Sequence, residues 1–275
     1  MTSIVDSHQH FWRLDRGDYG WLTPDLSPIY RDCLPAQLAP LIASAGVGAT
    51  ILVQAAATVA ETRFMLGLAR EHAFIAGVVG WVDFESEEAA ETIAELAADP
   101  HLVGLRPMMQ DIPDPDWMLD TSLAPAFEAM VDHGLVLDAL VLPKHLSALL
   151  ELAARYPDLA MVLDHGAKPP IAAGNLDAWK QGIAALARAT PMACKLSGLV
   201  TEANSAVPSV LAPAVDHLLE SFGPKRMMWG SDWPVCELAC TYDEWRTTSH
   251  ALLARLSVSE REQIFSATAR ATYGI

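Results

Sequence analysis

The sequence predicts an α/β fold, a (β/α)8 barrel of the TIM type built as one domain over residues 1–275. Three features lead there. Short apolar, β-prone runs alternate with helix-periodic segments from end to end. Several of those runs are apolar throughout, as strands covered on both faces must be. Eight such units suit a chain of 275 residues, and two histidines stand where an open doubly wound sheet would carry a Gly-rich phosphate turn.

In chain order, strands are expected at residues 4–7, 50–54, 75–82, 103–108, 135–140, 160–164, 192–196 and 226–230. The first, Ile4-Val5-Asp6-Ser7, runs directly into His8-Gln9-His10. Between strands, apolar residues three or four apart mark helices at 36–45, stopped by Gly46; 61–72; 86–98, stopped by Asp99-Pro100; and 144–156, stopped by Pro157. Ser259 and Glu262 have the spacing of a capping box for the last helix. The irregular stretches 13–33 and 113–123 read as long βα loops, which belong over a barrel mouth.

Composition bounds the partners. The chain is 52% hydrophobic, with a mean hydropathy of +0.22, which implies a large buried core. No apolar stretch approaches the roughly 18 residues of a membrane span. The start, Met1-Thr2-Ser3-Ile4, lacks the basic and apolar regions of a signal peptide, so export is not expected. Eighteen Lys and Arg face 34 Asp and Glu, a formal net charge of −16. Nucleic acid and anionic membrane both need basic surface, and both are excluded as partners. Four scattered cysteines (Cys33, Cys194, Cys236 and Cys240) form no disulfide framework, which points to a reducing cytoplasm. A small-molecule substrate remains as the expected partner. The sequence leaves open whether the chain forms a homo-oligomer.

Barrel enzymes place their chemistry at the C-terminal ends of the strands. Read in order, those ends carry His8 and His10, Gln54, Asp83, Arg106, Asp138, His165, Lys195 and Asp232. Random placement would leave several in Ala, Val or Ser, so this convergence argues for a catalyst. Residues two apart on a strand share a face, so His8 and His10 offer two imidazoles to one divalent ion. Taken alone, His165 reads as well as a hydrogen-bonded turn histidine, and Asp232 as a helix cap. Together with the His pair they can complete a mononuclear hydrolytic site. The remaining histidines fall in helices or at their ends and read as structural.

Three segments carry a resemblance: Asp6-x-His8-x-His10-x-Trp12, Leu163-Asp164-His165-Gly166-x-Lys168-Pro169, and Gly230-Ser231-Asp232-Trp233-Pro234. They resemble the amidohydrolase superfamily, in the branch of sugar-acid lactonases (L-fuconolactonase and L-rhamnonolactonase types) and 2-pyrone-4,6-dicarboxylate hydrolase. The similarity runs nearly end to end. It implies a (β/α)8 barrel, with His8, His10 and Asp232 holding one divalent metal, zinc, and Asp232 handling the water proton. Arg106 stands where a residue bridging two metals would be needed, so a binuclear centre is not expected. The pyrone hydrolases of this branch work without metal, which keeps a metal-independent route open. Some amidohydrolase-like enzymes are metal-dependent decarboxylases, a further alternative.

The expected chemistry is lactone opening. Asp232 takes a proton from water, the hydroxide attacks the lactone carbonyl, and the metal, His165 or Lys195 steadies the oxyanion. Only Arg106, Lys168 and Lys195 supply cations near the mouth. A dicarboxylate would favour several arginines for bidentate pairing, so a neutral polyhydroxylated ring is the expected substrate. Gln54, Asp83, Arg106 and Lys168 are candidate contacts to it. Trp12, Trp21, Trp117 and Trp233 lie in candidate mouth loops, where indole faces can stack on a sugar ring; Trp117 and Trp233 are the chosen candidates.

Overall fold

The computed structural model describes residues 3–275. Eight parallel strands pair in sequence order: β1 (Ile4–Gln9), β2 (Val47–Val53), β3 (Ile75–Gly80), β4 (Leu102–Leu105), β5 (Val136–Ala139), β6 (Met161–Leu163), β7 (Ala193–Leu196) and β8 (Met227–Trp229). Around them run α1 (Pro35–Ala45), α2 (Val59–Glu71), α3 (Ala89–Ala97), α4 (Ala124–Asp132), α5 (Leu146–Arg155), α6 (Asp177–Ala189), α7 (Leu199–Ala203), α8 (Pro208–Phe222), α9 (Tyr242–Leu252), α10 (Val258–Glu262) and α11 (Thr268–Tyr273). This is the expected (β/α)8 barrel. The strands are mostly shorter than the apolar runs suggested, because the last residues of several runs already belong to the mouth loops.

Two apolar layers hold the fold. Inside the barrel, Val5, Ile51, Val53, Val79, Val136, Val162 and Met228 interdigitate, and Ala269 and Tyr273 of α11 close the floor. Between strands and helices lies the larger layer, with Leu38, Leu52, Met65, Ile93, Leu149 and Ile183 buried. Each such side chain contributes about 1.5–3 kcal/mol on leaving water. β-branched residues on short strands inside, and Leu and Ala on helices outside, match the intrinsic preferences of each element.

The segment after β8 closes the seam between β8 and β1. Ser7 Oγ donates to Trp229 O (2.8 Å), Asp232 N–H to His8 O (2.8 Å), and His10 N–H to Trp233 O (2.7 Å). Gly230 makes this approach tolerable, since a Cβ there would lie 2.7 Å from His8 Cβ. Helix α9 clamps the seam from outside: Trp245 Nε1 donates to Gly230 O (2.9 Å) and Tyr242 Oη to Asp6 Oδ2 (3.0 Å).

The capping box of α10 differs from expectation. Ser257 N–H donates to Glu260 Oε2 (2.8 Å) and Glu260 N–H to Ser257 Oγ (3.3 Å). Both Ser-x-x-Glu registers occur in Ser257–Glu262; the helix begins at Val258, which makes Ser257 the cap. All four cysteines are free. Among the described residues, no helix is long and apolar enough to cross a membrane.

Candidate active site

His8 lies near the end of β1 and His10 one residue past it, both buried. His10 Nδ1 is 2.7 Å from Val53 O. A carbonyl only accepts, so Nδ1 carries the proton and the Nε2 lone pair is free. His10 Nε2 stands 3.2 Å from His8 Nε2 and 3.3 Å from Asp232 Oδ1, and His8 Nε2 stands 3.7 Å from Asp232 Oδ1. A triangle with those sides has a point about 2.0 Å from all three corners, the bond length of zinc to imidazole and carboxylate. The residues therefore fit a small divalent ion. His165 stands beside them, with its ligand atom within 4.8 Å of those of His8 and Asp232.

Local backbone strain aims these groups. His165, Ala167, Lys168 and Asp232 all take left-handed φ (52°, 59°, 51° and 58°), at about 1–2 kcal/mol each for an L-residue. Such strain clusters where function demands it. At Asp232 the kink turns the carboxylate inward. Its side chain faces the histidines and caps no helix. At 165–168 the turn is held by Trp179 Nε1 donating to Gly166 O (2.7 Å), and His165 Nδ1 meets Ser197 Oγ at 2.8 Å.

The electrostatics suit metal ligation. Burial pushes His8 well below its ordinary range, helped by the Lys195 charge and opposed by Asp164. Burial likewise lowers His165 to about 4, against Asp232 and Asp164. Both imidazoles are neutral at neutral pH, as ligands must be. Burial disfavours the Asp232 carboxylate, but the surrounding imidazoles of His165, His10 and His8 outweigh it and hold Asp232 well below the usual carboxylate range.

Other expected residues fall in four places. Arg106 is buried beside the triangle: Nη1 lies 3.3 Å from Asp164 Oδ2 and 3.4 Å from His8 Nε2, and Nη2 donates to Gln54 O. Gln54 returns a bond from Nε2 to Arg106 O (2.7 Å) and is fully enclosed. Lys168 is half-buried at the mouth, 3.7 Å from Glu202 Oε1. Lys195, expected at the mouth, lies below it. Its ammonium is drawn down the barrel axis by Asp138 and Asp164 and touches His8 Nδ1 at 3.1 Å. Asp83 is exposed and accepts from Glu85 N–H. Trp117 donates to Glu85 Oε1 (2.6 Å) and Trp233 to Glu237 Oε1 (2.8 Å). The structure does not bring Asp83, Trp117 or Trp233 to the cavity wall.

That cavity has a volume of about 280 Å³. His10, Arg106, His165, Lys168 and Asp232 line it together with Trp21, Gln110, Asp111 and an apolar arc of Leu26, Met108, Leu140, Val235 and Leu238. Trp21 sits on the 13–33 loop with Nε1 donating to Ala55 O (2.7 Å). Gln110 and Asp111 come after β4, a position the strand-end argument could have extended to. The apolar arc gives no signal in sequence, because lone apolar loop residues look alike. A larger open groove of about 860 Å³ lies at the opposite end of the barrel, but its lining gathers no His, Cys, Lys or Arg.

A model of the amidohydrolase family matches residues 5–275. The chain belongs to the amidohydrolase family. It is 47% identical to an L-fucono-1,5-lactonase of Burkholderia ambifaria over 89% of this chain and 85% of that protein. It is 37% identical to an L-fucono-1,5-lactonase of Burkholderia multivorans over 98% and 96%. A zinc-bound amidohydrolase from Burkholderia multivorans superposes with a TM-score of 0.93 at 38% identity, covering all of both chains. The amidohydrolase assignment and the expected lactonase branch agree.

Proposed function

We propose that this amidohydrolase opens a neutral, single-ring sugar-acid lactone of the L-fucono-1,5-lactone kind, with one zinc ion held by His8, His10 and Asp232. Its lactonase relatives and the zinc-bound neighbour support both parts. The observation that carries the substrate class is the cavity wall. At about 280 Å³ it lies just under the roughly 300–1,000 Å³ of drug-sized pockets, room for one ring. It offers two cations, Arg106 and Lys168, and Arg106 is already engaged by Asp164 and Gln54 O. A dicarboxylate would lack its bidentate partners, whereas ring hydroxyls can use Gln110, Asp111 and Lys168, and the apolar arc can take an alkyl substituent.

The ion, when bound, lowers the pKa of water and polarises the lactone carbonyl. Asp232, ionised and facing the same point, accepts the proton of the attacking water. The water oxygen adds to the carbonyl carbon, and His165, oriented by Ser197, donates from Nε2 to the oxyanion. The bond from that carbon to the ring oxygen then breaks. Asp232 returns its proton to the ring oxygen, giving the open hydroxy acid. Four unpaired cysteines and this substrate suit a reducing, cytoplasmic setting.

A second reading rests on Arg106, whose Nη1 is 3.4 Å from His8 Nε2, close enough for a guanidinium to polarise the carbonyl without metal. Metal analysis of the purified protein, joined to a pH-indicator screen, separates the two. One zinc per chain and fast acid release from neutral aldonolactones are expected. Full activity after exhaustive chelation selects the metal-free route, and faster hydrolysis of a pyrone dicarboxylate than of every aldonolactone overturns the substrate class.

A further inference from the structure

Beneath the ligand triangle a second polar cluster occupies the barrel axis. Lys195 Nζ is in direct contact with Asp138 Oδ2, 3.1 Å from Asp164 Oδ1 and 3.1 Å from His8 Nδ1. All four side chains are fully buried. The last helix reaches this cluster from the floor of the barrel. Tyr273 on α11 donates its hydroxyl to Asp138 Oδ1 (2.7 Å), and its ring centroid lies 5.5 Å from Lys195 Nζ. A continuous line therefore runs from Tyr273 through Asp138 and Lys195 to Asp164, whose Oδ1 lies 3.5 Å from His8 Nδ1.

Stability alone does not explain the line. Removing an ammonium and two carboxylates from water costs several kcal/mol per ion, and apolar side chains of similar volume serve a core as well or better. The neighbouring interior is built that way, with Val5, Val136, Val162 and Met228. What the cluster does accomplish is geometric. An ammonium has only donors, so the Asp138 and Asp164 carboxylates satisfy it; a His8 that holds an ion through Nε2 carries its proton on Nδ1, where Asp164 Oδ1 at 3.5 Å is the acceptor. An imidazole pinned at Nδ1 can aim Nε2 only toward His10 and Asp232. Outer partners of metal-bound histidines change metal affinity by roughly 10–100-fold.

We propose that Tyr273 is a positioning residue for the metal site: through Asp138, Lys195 and Asp164 it fixes the His8 ring and so sets the affinity for the ion. The inference rests on the metal reading given above and not on the identity of the lactone. Its test uses the full-length chain stripped of metal, with zinc affinity measured by competition against a chromophoric chelator. Tyr273→Phe keeps the ring and deletes only the hydroxyl. Asp138→Asn keeps the shape of the next member and deletes its charge, so a folded form of either variant decides. We expect zinc to bind about 3- to 10-fold more weakly, with kcat falling at limiting zinc and KM for the lactone unchanged. A merely structural role would lower the melting temperature and leave zinc affinity alone. A folded variant with wild-type zinc affinity overturns the proposal. A wild type that binds no zinc overturns it together with the metal reading, and lactone hydrolysis survives. Weaker zinc binding in a chain that opens no lactone supports the proposal and removes the functional reading instead.

Discussion

Replacing Gly198 with alanine would drive a methyl group into the His165 imidazole. The residue sits at φ +68°, and a Cβ built there lies 2.6 Å from His165 Nδ1 and 2.7 Å from its Cγ. Ordinary contact begins near 3.4 Å, so the ring must retreat by about 0.8 Å or the turn must unwind. The left-handed conformation costs an L-residue about 1–2 kcal/mol, and the 2.8 Å contact with Ser197 Oγ, once lost, adds about 0.5–1.5. The resulting destabilisation is roughly 2–3 kcal/mol, which lowers Tm by about 4–12 °C in a chain of this size. A displacement approaching 1 Å at a reacting group costs on the order of 100-fold in rate. Scanning calorimetry and kcat on a neutral aldonolactone give the two readouts. Ser197→Ala removes the hydrogen bond without the wedge and serves as the comparison, with a loss near 1 kcal/mol and a smaller effect on kcat. A Gly198→Ala enzyme that melts early yet keeps wild-type kcat would refute the assignment of His165 to the oxyanion.

Asp232→Asn should fold, because the backbone bond from residue 232 to His8 O (2.8 Å) persists and Asn tolerates φ near 58°; kcat should fall by about 10²–10⁴, and a variant retaining a tenth of wild-type kcat removes the acid/base role. Glu61 is a stability sensor: burial lifts its carboxyl to about 7, against the Ala56 and Ala55 N–H groups that favour the ionised form. The folded state thus holds this proton more tightly than the unfolded chain, so the contribution is fully present below the unfolded value near 4.5 and lost as pH rises to about 7. Urea unfolding of wild type against Glu61→Gln should show the wild type losing roughly 2–4 kcal/mol relative to the variant across that window; a difference flat with pH refutes it.

The barrel was legible in the sequence because its two signals are strong: unbroken apolar runs for strands covered on both faces, and helix periodicity between them. The candidate site was legible for a different reason. His8, His10, His165 and Asp232 interrupt apolar runs at strand ends, where a polar side chain has no packing purpose. Depth was not legible. Lys195 and Gln54 end strands just as Arg106 does, yet a long side chain can turn toward the mouth or toward the floor, and Asp138 with Asp164 decided the matter for Lys195. Loop residues failed for want of pattern. Trp117 and Trp233 looked like ring-stacking platforms, but their indoles are tied to Glu85 and Glu237, while Trp21 took the cavity wall. Asp83 follows a strand that ended three residues before it, with β3 stopping at Gly80.

The seam of this barrel and its ligand triangle are the same few residues. His8 and His10 are made long before their partner, since the carboxylate that completes the set arrives 222 residues after His10. It reaches its place only by the backbone bonds that join Asp232 and Trp233 back to β1. A nascent or partly refolded chain therefore owns two imidazoles and no catalyst. Turnover begins when the circle is complete, so enzymatic activity counts finished barrels, and the ion proposed for this site would rivet the join against reopening.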